Sequence, residues 1–285
     1  MTATFRRSAD LVLGGRRVRH RADGDPGGPP VLLLHGITRS LDDWTEQHEL
    51  LGDRYRLYSV DLPGFGGSDP LAGPHTLDAY AAFLESYLDA VGETDPVHVV
   101  GNSLGGAVAM RLGVRAPHRV ASLVLANSAG FGSEVTIALR ALAVRGLGEL
   151  LLLRPSLAAA WRVERSLYRD RAFVTDQRVA HTYALATRPH GARVTLEVGR
   201  SLGTFRGVRP EWRDELLTEL TAAEQVPTFV MWGEDDLVLP SAQLAAARQR
   251  LPYARTHLFP RAGHMPQVER AEEFADLVHD FWSTG

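Results

Sequence analysis

Four short apolar runs set the strongest limit on how this chain can fold. VLLLHG (31–36), YRLYSVD (55–61), VHVVG (97–101) and VASLVLAN (120–127) are short apolar runs set between longer helix-period segments, and they read as strands buried on both faces. Between them, SLDDWTEQHELLGD and HTLDAYAAFLESYLDAVG repeat apolar residues at three- and four-residue spacing, the period of an amphipathic helix. Ser40 and Thr76 stand where N-caps belong and Gly92 where a helix should stop. Strands that alternate with helices predict an α/β fold: a mostly parallel central sheet with helices on both faces. The segment up to about residue 23 is expected to add an antiparallel hairpin at the sheet edge, and GDPGGPP (24–30) to form the surface turn after it.

From about residue 131 the rhythm changes. IALRALAVRGLGELLLL, SLAAAWRVERSLY, VTDQRVAHTYALATR and ARVTLEVGRSLGTF are all helical in pattern, with no buried strand among them. VPTFVMWGEDD (226–236) then restores a strand, followed by helix SAQLAAARQRL, strand ARTHLF and helix EEFADLVHDFW. The expected organisation is a core of residues 1–130 and 226–285, interrupted by a helical cap at 131–225.

Composition excludes several function classes. A net charge of −3 creates no field that would gather nucleic acid, and the basic residues, all arginine, are scattered. Cysteine is absent, so thiolate metal sites and a cysteine nucleophile are excluded. The first residues lack a signal-peptide core and no apolar run reaches the length of a membrane span; the expectation is a cytoplasmic protein without membrane insertion. No motif calls for a metal or an organic cofactor, and none is expected.

The run VHVVGNSLGGAVAM (97–110) carries the clearest chemistry. Ser103 sits in a G-x-S-x-G at a strand-to-helix turn, where the serine backbone must be strained and its neighbours small. Such a turn lifts the hydroxyl to a helix N-terminus, whose unpaired N–H groups favour developing negative charge. A second match, GRSLG (199–203), lacks the small-residue helix start and is followed by Pro210, so Ser201 is expected near the end of a cap helix.

A neutral hydroxyl needs a base, and histidine suits that work. His264, in RAGHMPQVE, follows the last strand and precedes the final helix, at the carboxyl end of the sheet where sites of open α/β sheets form. His98 is expected in the core, His257 in or beside a strand, and His35 as an organiser of its loop. A carboxylate must orient the base, and MWGEDDLVLP offers Glu234, Asp235 and Asp236 after a strand, in the order serine, acid, histidine. The oxyanion needs two backbone donors: Leu104, directly after the nucleophile, and Ile37, in the loop after VLLLHG.

These segments together resemble the α/β-hydrolase superfamily, specifically its capped members, over nearly the whole chain. HGITRSLDDW is similar to the family's HG loop, DLPGFGGSD to its D-x-P-G-x-G-x-S segment, GNSLGG to its nucleophile elbow and GHMPQVERAEEF to its histidine loop. The family's acid motif aligns with Gly233, Asp236 and Pro240, so the resemblance selects Asp236 over Asp235. It implies a triad of Ser103, Asp236 and His264, with Ile37 and Leu104 as oxyanion donors. Haloalkane dehalogenases and epoxide hydrolases place aspartate where this chain has Ser103. The expected activity is hydrolysis of an ester-type bond (carboxylic ester, lactone or thioester) of a small, partly apolar substrate through an acyl-enzyme. The alternatives are hydrolysis of a carbon–carbon bond in vinylogous diketones, which the GNS elbow resembles, cofactor-free haloperoxidase or perhydrolase chemistry, and acyl transfer. A non-catalytic ligand receptor is the alternative of a different class. Carbon–carbon hydrolases usually have tryptophan where this chain has Met265, and a glycine-richer loop than ITRSLDDW. The cap is expected to line the substrate pocket, with Arg140, Arg145 and Arg188 as candidates to meet a substrate carboxylate.

Overall fold

A computed structural model describes residues 8–222 and 226–284. Of the amino-terminal stretch, residues 1–7 therefore lie outside the described residues, as do 223–225 at the expected end of the cap. The sheet strands are β1 (Ala9–Leu13), β2 (Arg16–Gly24), β3 (Pro30–Leu34), β4 (Arg56–Val60), β5 (Val97–Asn102) and β6 (Val120–Ala126), followed after the insertion by β9 (Thr228–Gly233) and β10 (Arg255–Phe259). Their spatial order is β1-β2-β4-β3-β5-β6-β9-β10. The β1–β2 hairpin and its contact with β4 are antiparallel, and every other pairing is parallel. This is the expected α/β sheet with its edge hairpin.

The chain leaves β3 toward β4 and returns to the far side of β3 as β5. The order of strands reverses there, and at such a switch point the carboxyl ends of two neighbouring strands open a crevice. The loops after β3 and β5 are those that carry Ile37 and Ser103.

Helices cover both faces because side chains alternate along each strand. Leu32, Leu34, Val99, Leu123, Leu125, Val230 and Trp232 join one core cluster, with α2 (Leu77–Ala90) and α3 (Leu104–Arg115). Val31, Leu33, Leu57, Val100, Val124, Phe229 and Met231 join the other, with α12 (Ala271–Ser283) and Trp44, which precedes α1 (Thr45–Leu51). Thr76 caps α2 by accepting from the Ala79 N–H at 3.2 Å, and Gly92 follows the helix at φ +75°. SLDDWTEQHELLGD, read as one helix, divides into a 3₁₀ turn at Leu41–Trp44 and α1.

The insertion holds α4 (Ile137–Leu142), α5 (Leu147–Leu152), α6 (Leu157–Leu167), α7 (Asp176–Ala186) and α8 (Gly191–Leu202). The first helical pattern breaks into α4 and α5 at Gly146, whose φ of +83° no continuing helix allows. Ser156 and Thr175 accept from the third residue onward and start α6 and α7. A two-residue ribbon, β7 (Gly203–Thr204) with β8 (Gly207–Val208), follows α8 and escaped the periodicity because it is too short to have one. Helix α9 (Pro210–Ala222) buries Leu216, Leu217 and Leu220 in the core cluster that includes α3. The remaining helices are α10 (Gln243–Arg250) and the short α11 (Pro266–Glu269). Among the described residues no helix is long and apolar enough to cross a membrane.

Candidate active site

Ser103 stands between β5 and α3 with φ +56° and ψ −115°, a left-handed conformation that costs a non-glycine residue about 1–3 kcal/mol. The surroundings enforce it. A Cβ at Gly101 would run into the Gly105 carbonyl, and one at Gly105 would run into the Leu34 carbonyl. The Ser103 N–H donates to the Ala126 carbonyl at 3.1 Å, and its own carbonyl accepts from Ala129 at 3.1 Å. The turn is thus held from both sides. Its hydroxyl makes no hydrogen bond with the described residues.

Leu104 is the first residue of α3, so its N–H has no acceptor within the helix. The loop carrying Ile37 runs alongside the serine: a Cβ at Gly36 would lie 3.3 Å from the Ser103 Cβ. Ile37, Ser103 and Leu104 together line an apolar cavity of about 80 Å³, closed by Val198, Leu202 and Trp212 among others.

His264 and Asp236 meet on the same rim. The His264 Nδ1 lies 2.8 Å from the Asp236 Oδ2, and both side chains are buried. The carboxylate takes four donors. Oδ2 also accepts from Asn127 Nδ2 at 2.6 Å, and Oδ1 accepts from the backbone N–H groups of Val238 and Leu239 at 2.7 and 3.0 Å. With Oδ2 as a full acceptor, His264 carries its proton on Nδ1, which leaves Nε2 as a base. Asp235 turns away and pairs with Arg169 at the surface, 3.0 Å apart.

Two asparagines support this arrangement that the sequence reading did not single out. Asn102 donates to the His264 carbonyl at 3.0 Å and to the Ala126 carbonyl at 3.1 Å, tying the histidine loop to the turn of Ser103. Asn127, in the left-handed region at φ +45°, reaches Asp236. Asparagine tolerates that backbone better than most residues, so an Asn at the carboxyl end of a buried strand was the available signal. Glu269 accepts from Gly263 and Asp170 N–H groups, joining the histidine loop to the cap, and burial pushes its carboxyl above the usual range.

The other histidines are engaged elsewhere. His35 donates from Nδ1 to the Gly36 carbonyl at 2.7 Å and accepts the Leu62 N–H on Nε2 at 2.9 Å, leaving no nitrogen for a hydroxyl. Burial lowers its pKa and keeps it neutral. His98 bonds Ser122 at 2.8 Å and stacks on Trp282; burial brings its pKa down to about 4. His257 lies in β10 against Phe259. Ser201 is in the last turn of α8 and lines a separate hollow of about 110 Å³. Among the described residues, no group of three or more His, Cys, Asp or Glu side chains is arranged to hold a metal ion.

Cap and core are joined by a buried ion cluster. Arg39, in the loop after Ile37, pairs with Asp43 and with Glu164 of α6, and it also donates to Thr182 of α7. On the far side of that loop, Thr38, Gly64 and Phe65 line a second cavity of about 210 Å³, with Ala160, Leu185, Arg154 and Arg188 on its cap side. Arg188 therefore stands at a cavity. Arg140 instead donates to the Val135 carbonyl, and Arg145 is exposed.

A family model described as alpha/beta hydrolase fold matches residues 29–271. The chain belongs to that family. Among relatives of this α/β hydrolase, the 2-hydroxy-6-oxo-2,4-heptadienoate hydrolase of Pseudomonas putida is 30% identical over 260 residues, covering 89% of each chain. The dihydrolipoyllysine-residue acetyltransferase component of the acetoin cleaving system of Cupriavidus necator is 32% identical over 93% of this chain, which spans 66% of that protein. A meta-cleavage product hydrolase from Pseudomonas fluorescens superposes with a TM-score of 0.79 at 25% identity, covering 97% of both chains.

Proposed function

We propose that this α/β hydrolase uses Ser103, His264 and Asp236 to cleave a carbon–carbon bond next to a carbonyl group in a small vinylogous diketone carrying a carboxylate. The observation that carries the serine chemistry is the juxtaposition at the carboxyl end of the sheet. A strained Ser103 stands at the N-terminus of α3, and the buried His264–Asp236 pair joins the loops after β9 and β10. Ser103 Oγ adds to the carbonyl carbon as its proton passes to His264 Nε2. The N–H groups of Ile37 and Leu104 receive the negative oxygen, each such donor contributing about 2.7–4 kcal/mol in the transition state. In the diketo tautomer, formed when the 2-hydroxyl proton is exchanged for one on the carbon next to the carbonyl, collapse breaks the bond to that carbon; its electron pair spreads over the conjugated oxo group, and the carbon takes the proton from His264. Water, activated by the same histidine, then releases the acid from Ser103.

The relatives support the carbon–carbon bond over the ester that the sequence alone favours, because two of them act by name on dienoate or meta-cleavage products. The two cavities fit such a substrate. The apolar one beside Ser103 suits the acyl end, and the larger one holds Arg154 and Arg188, neither in an ion pair within the described residues, to meet a carboxylate. Ester hydrolysis is the second reading, favoured by the buried Met265 beside His264, where carbon–carbon hydrolases usually have tryptophan. The test compares kcat/KM for a 2-hydroxy-6-oxo-dienoate with that for an aryl ester of the same acyl group. A preference for the dienoate supports the proposal, and turnover of the ester alone overturns it. Turnover of neither would favour a receptor.

A further inference from the structure

The outer side of the cap carries a surface that the chemistry at Ser103 leaves unused. Leu150, Leu153, Leu157 and Trp161 are 67, 66, 56 and 49% exposed. They follow one another through α5, the turn after it and the start of α6, and Leu157 and Trp161 share a helix face because they are four residues apart. Single exposed leucines are ordinary, whereas several grouped within twelve consecutive residues mark a surface with a partner. Arg145 and Arg162 flank the group, exposed and in no ion pair within the described residues. The wider charge distribution follows the same division. The cap, residues 131–225, holds 14 arginines against 11 acidic residues, a charge of +3, in a chain whose net charge is −3, which leaves −6 on the rest.

We propose that this face of the cap docks peripherally on an anionic lipid surface. The leucines and Trp161 enter the boundary between headgroups and acyl chains, and the flanking arginines meet the lipid phosphates. Two observations select this occupant. A second copy of the chain, docked by a two-fold axis, would set the positive cap against itself. The inner side of the same two helices, through Leu152, Ala159, Ala160 and Val163, forms a wall of the 210 Å³ cavity beside the Thr38 loop. A cap resting on lipid therefore places that cavity next to a reservoir of amphiphilic molecules. The docking is independent of which bond Ser103 opens, and it is measured without substrate.

The test sediments the full chain with vesicles of phosphatidylglycerol and phosphatidylcholine in equal parts, and with phosphatidylcholine alone, at about 20 and about 500 mM salt. The expected result is binding to the anionic vesicles at low salt, weakened at least about tenfold at high salt, with much weaker binding to phosphatidylcholine. Leu153→Glu and Trp161→Glu should each weaken it by about tenfold or more while leaving the thermal midpoint unchanged. Val12→Glu, at an exposed apolar position on β1, should bind like the unaltered protein. The proposal is overturned by no binding to the anionic vesicles, by binding indifferent to both cap substitutions, or by an equal loss in Val12→Glu. A dimer in sedimentation velocity that Leu153→Glu dissociates would assign the face to a second copy and overturn it as well.

Discussion

Replacing Asp236 with asparagine preserves shape and changes only what the side chain can accept. In the native site Oδ1 takes the Val238 and Leu239 N–H groups, and Oδ2 takes Asn127 Nδ2 and His264 Nδ1. An amide has one oxygen for these two positions. Keeping it opposite the two fixed backbone donors turns its NH₂ toward His264 and Asn127, where donors then meet. His264 relieves its part of the clash by moving its proton to Nε2, and in that tautomer it has no lone pair for the Ser103 proton. The same tautomer error in a serine protease triad costs about 10⁴ in kcat, or about 5.4 kcal/mol of transition-state stabilisation. The remaining clash with Asn127 should lower folding stability by about 1–3 kcal/mol, too little to unfold a protein of ordinary stability. Steady-state turnover of an aryl ester or dienoate at neutral pH, with circular dichroism to verify folding, reads both effects. Asp235→Asn is the control, because its exposed pair with Arg169 is worth less than about 1 kcal/mol. A kcat within about tenfold of the unaltered enzyme in Asp236→Asn, or a greater loss in Asp235→Asn, would refute the reasoning.

Arg39→Ala strands the carboxylates of Asp43 and Glu164 in the seam between cap and core, and urea unfolding should find the protein less stable by about 3–5 kcal/mol. Ser201→Ala, remote from the His264–Asp236 pair, should leave kcat/KM unchanged. His98 has a folded pKa of about 4 against 6.5 unfolded, so the unfolded chain binds the extra proton and stability falls as pH drops through that interval. From pH 7 to pH 5 its share is about 2 kcal/mol, and His98→Phe, which keeps the stack on Trp282, should remove that share from the pH dependence of urea unfolding.

How much of this was legible beforehand follows from the range of the forces involved. The parallel strands and the turn at Ser103 are local: VHVVG and GNSLGG state a buried strand, a glycine-bounded bend and a tightly packed helix in consecutive residues. The neighbours of Asp236 are not local. Asn127 lies 109 positions away in sequence and reaches the carboxylate only because β6 and β9 pair. Arg39 offered no sign of burial, since its partner Glu164 belongs to the insertion, 125 positions on. The break at Gly146 was visible as a residue, but a glycine inside a helical pattern either stays helical or ends it, and only packing decides. Substrate preference was least legible of all. Arg154 and Arg188 meet Thr38 at one cavity through the folding of the cap over the sheet, which no spacing records.

Ser103, held in a strained turn that Asn102 ties to the loop of the buried His264, is the proposed nucleophile. Incubation with a fluorophosphonate, followed by peptide mass mapping, tests this most directly. The account predicts one covalent adduct, on Ser103, formed far more slowly in Asp236→Asn and not at all in Ser103→Ala. An unlabelled protein, or an adduct on Ser201 or another hydroxyl in its place, would contradict it.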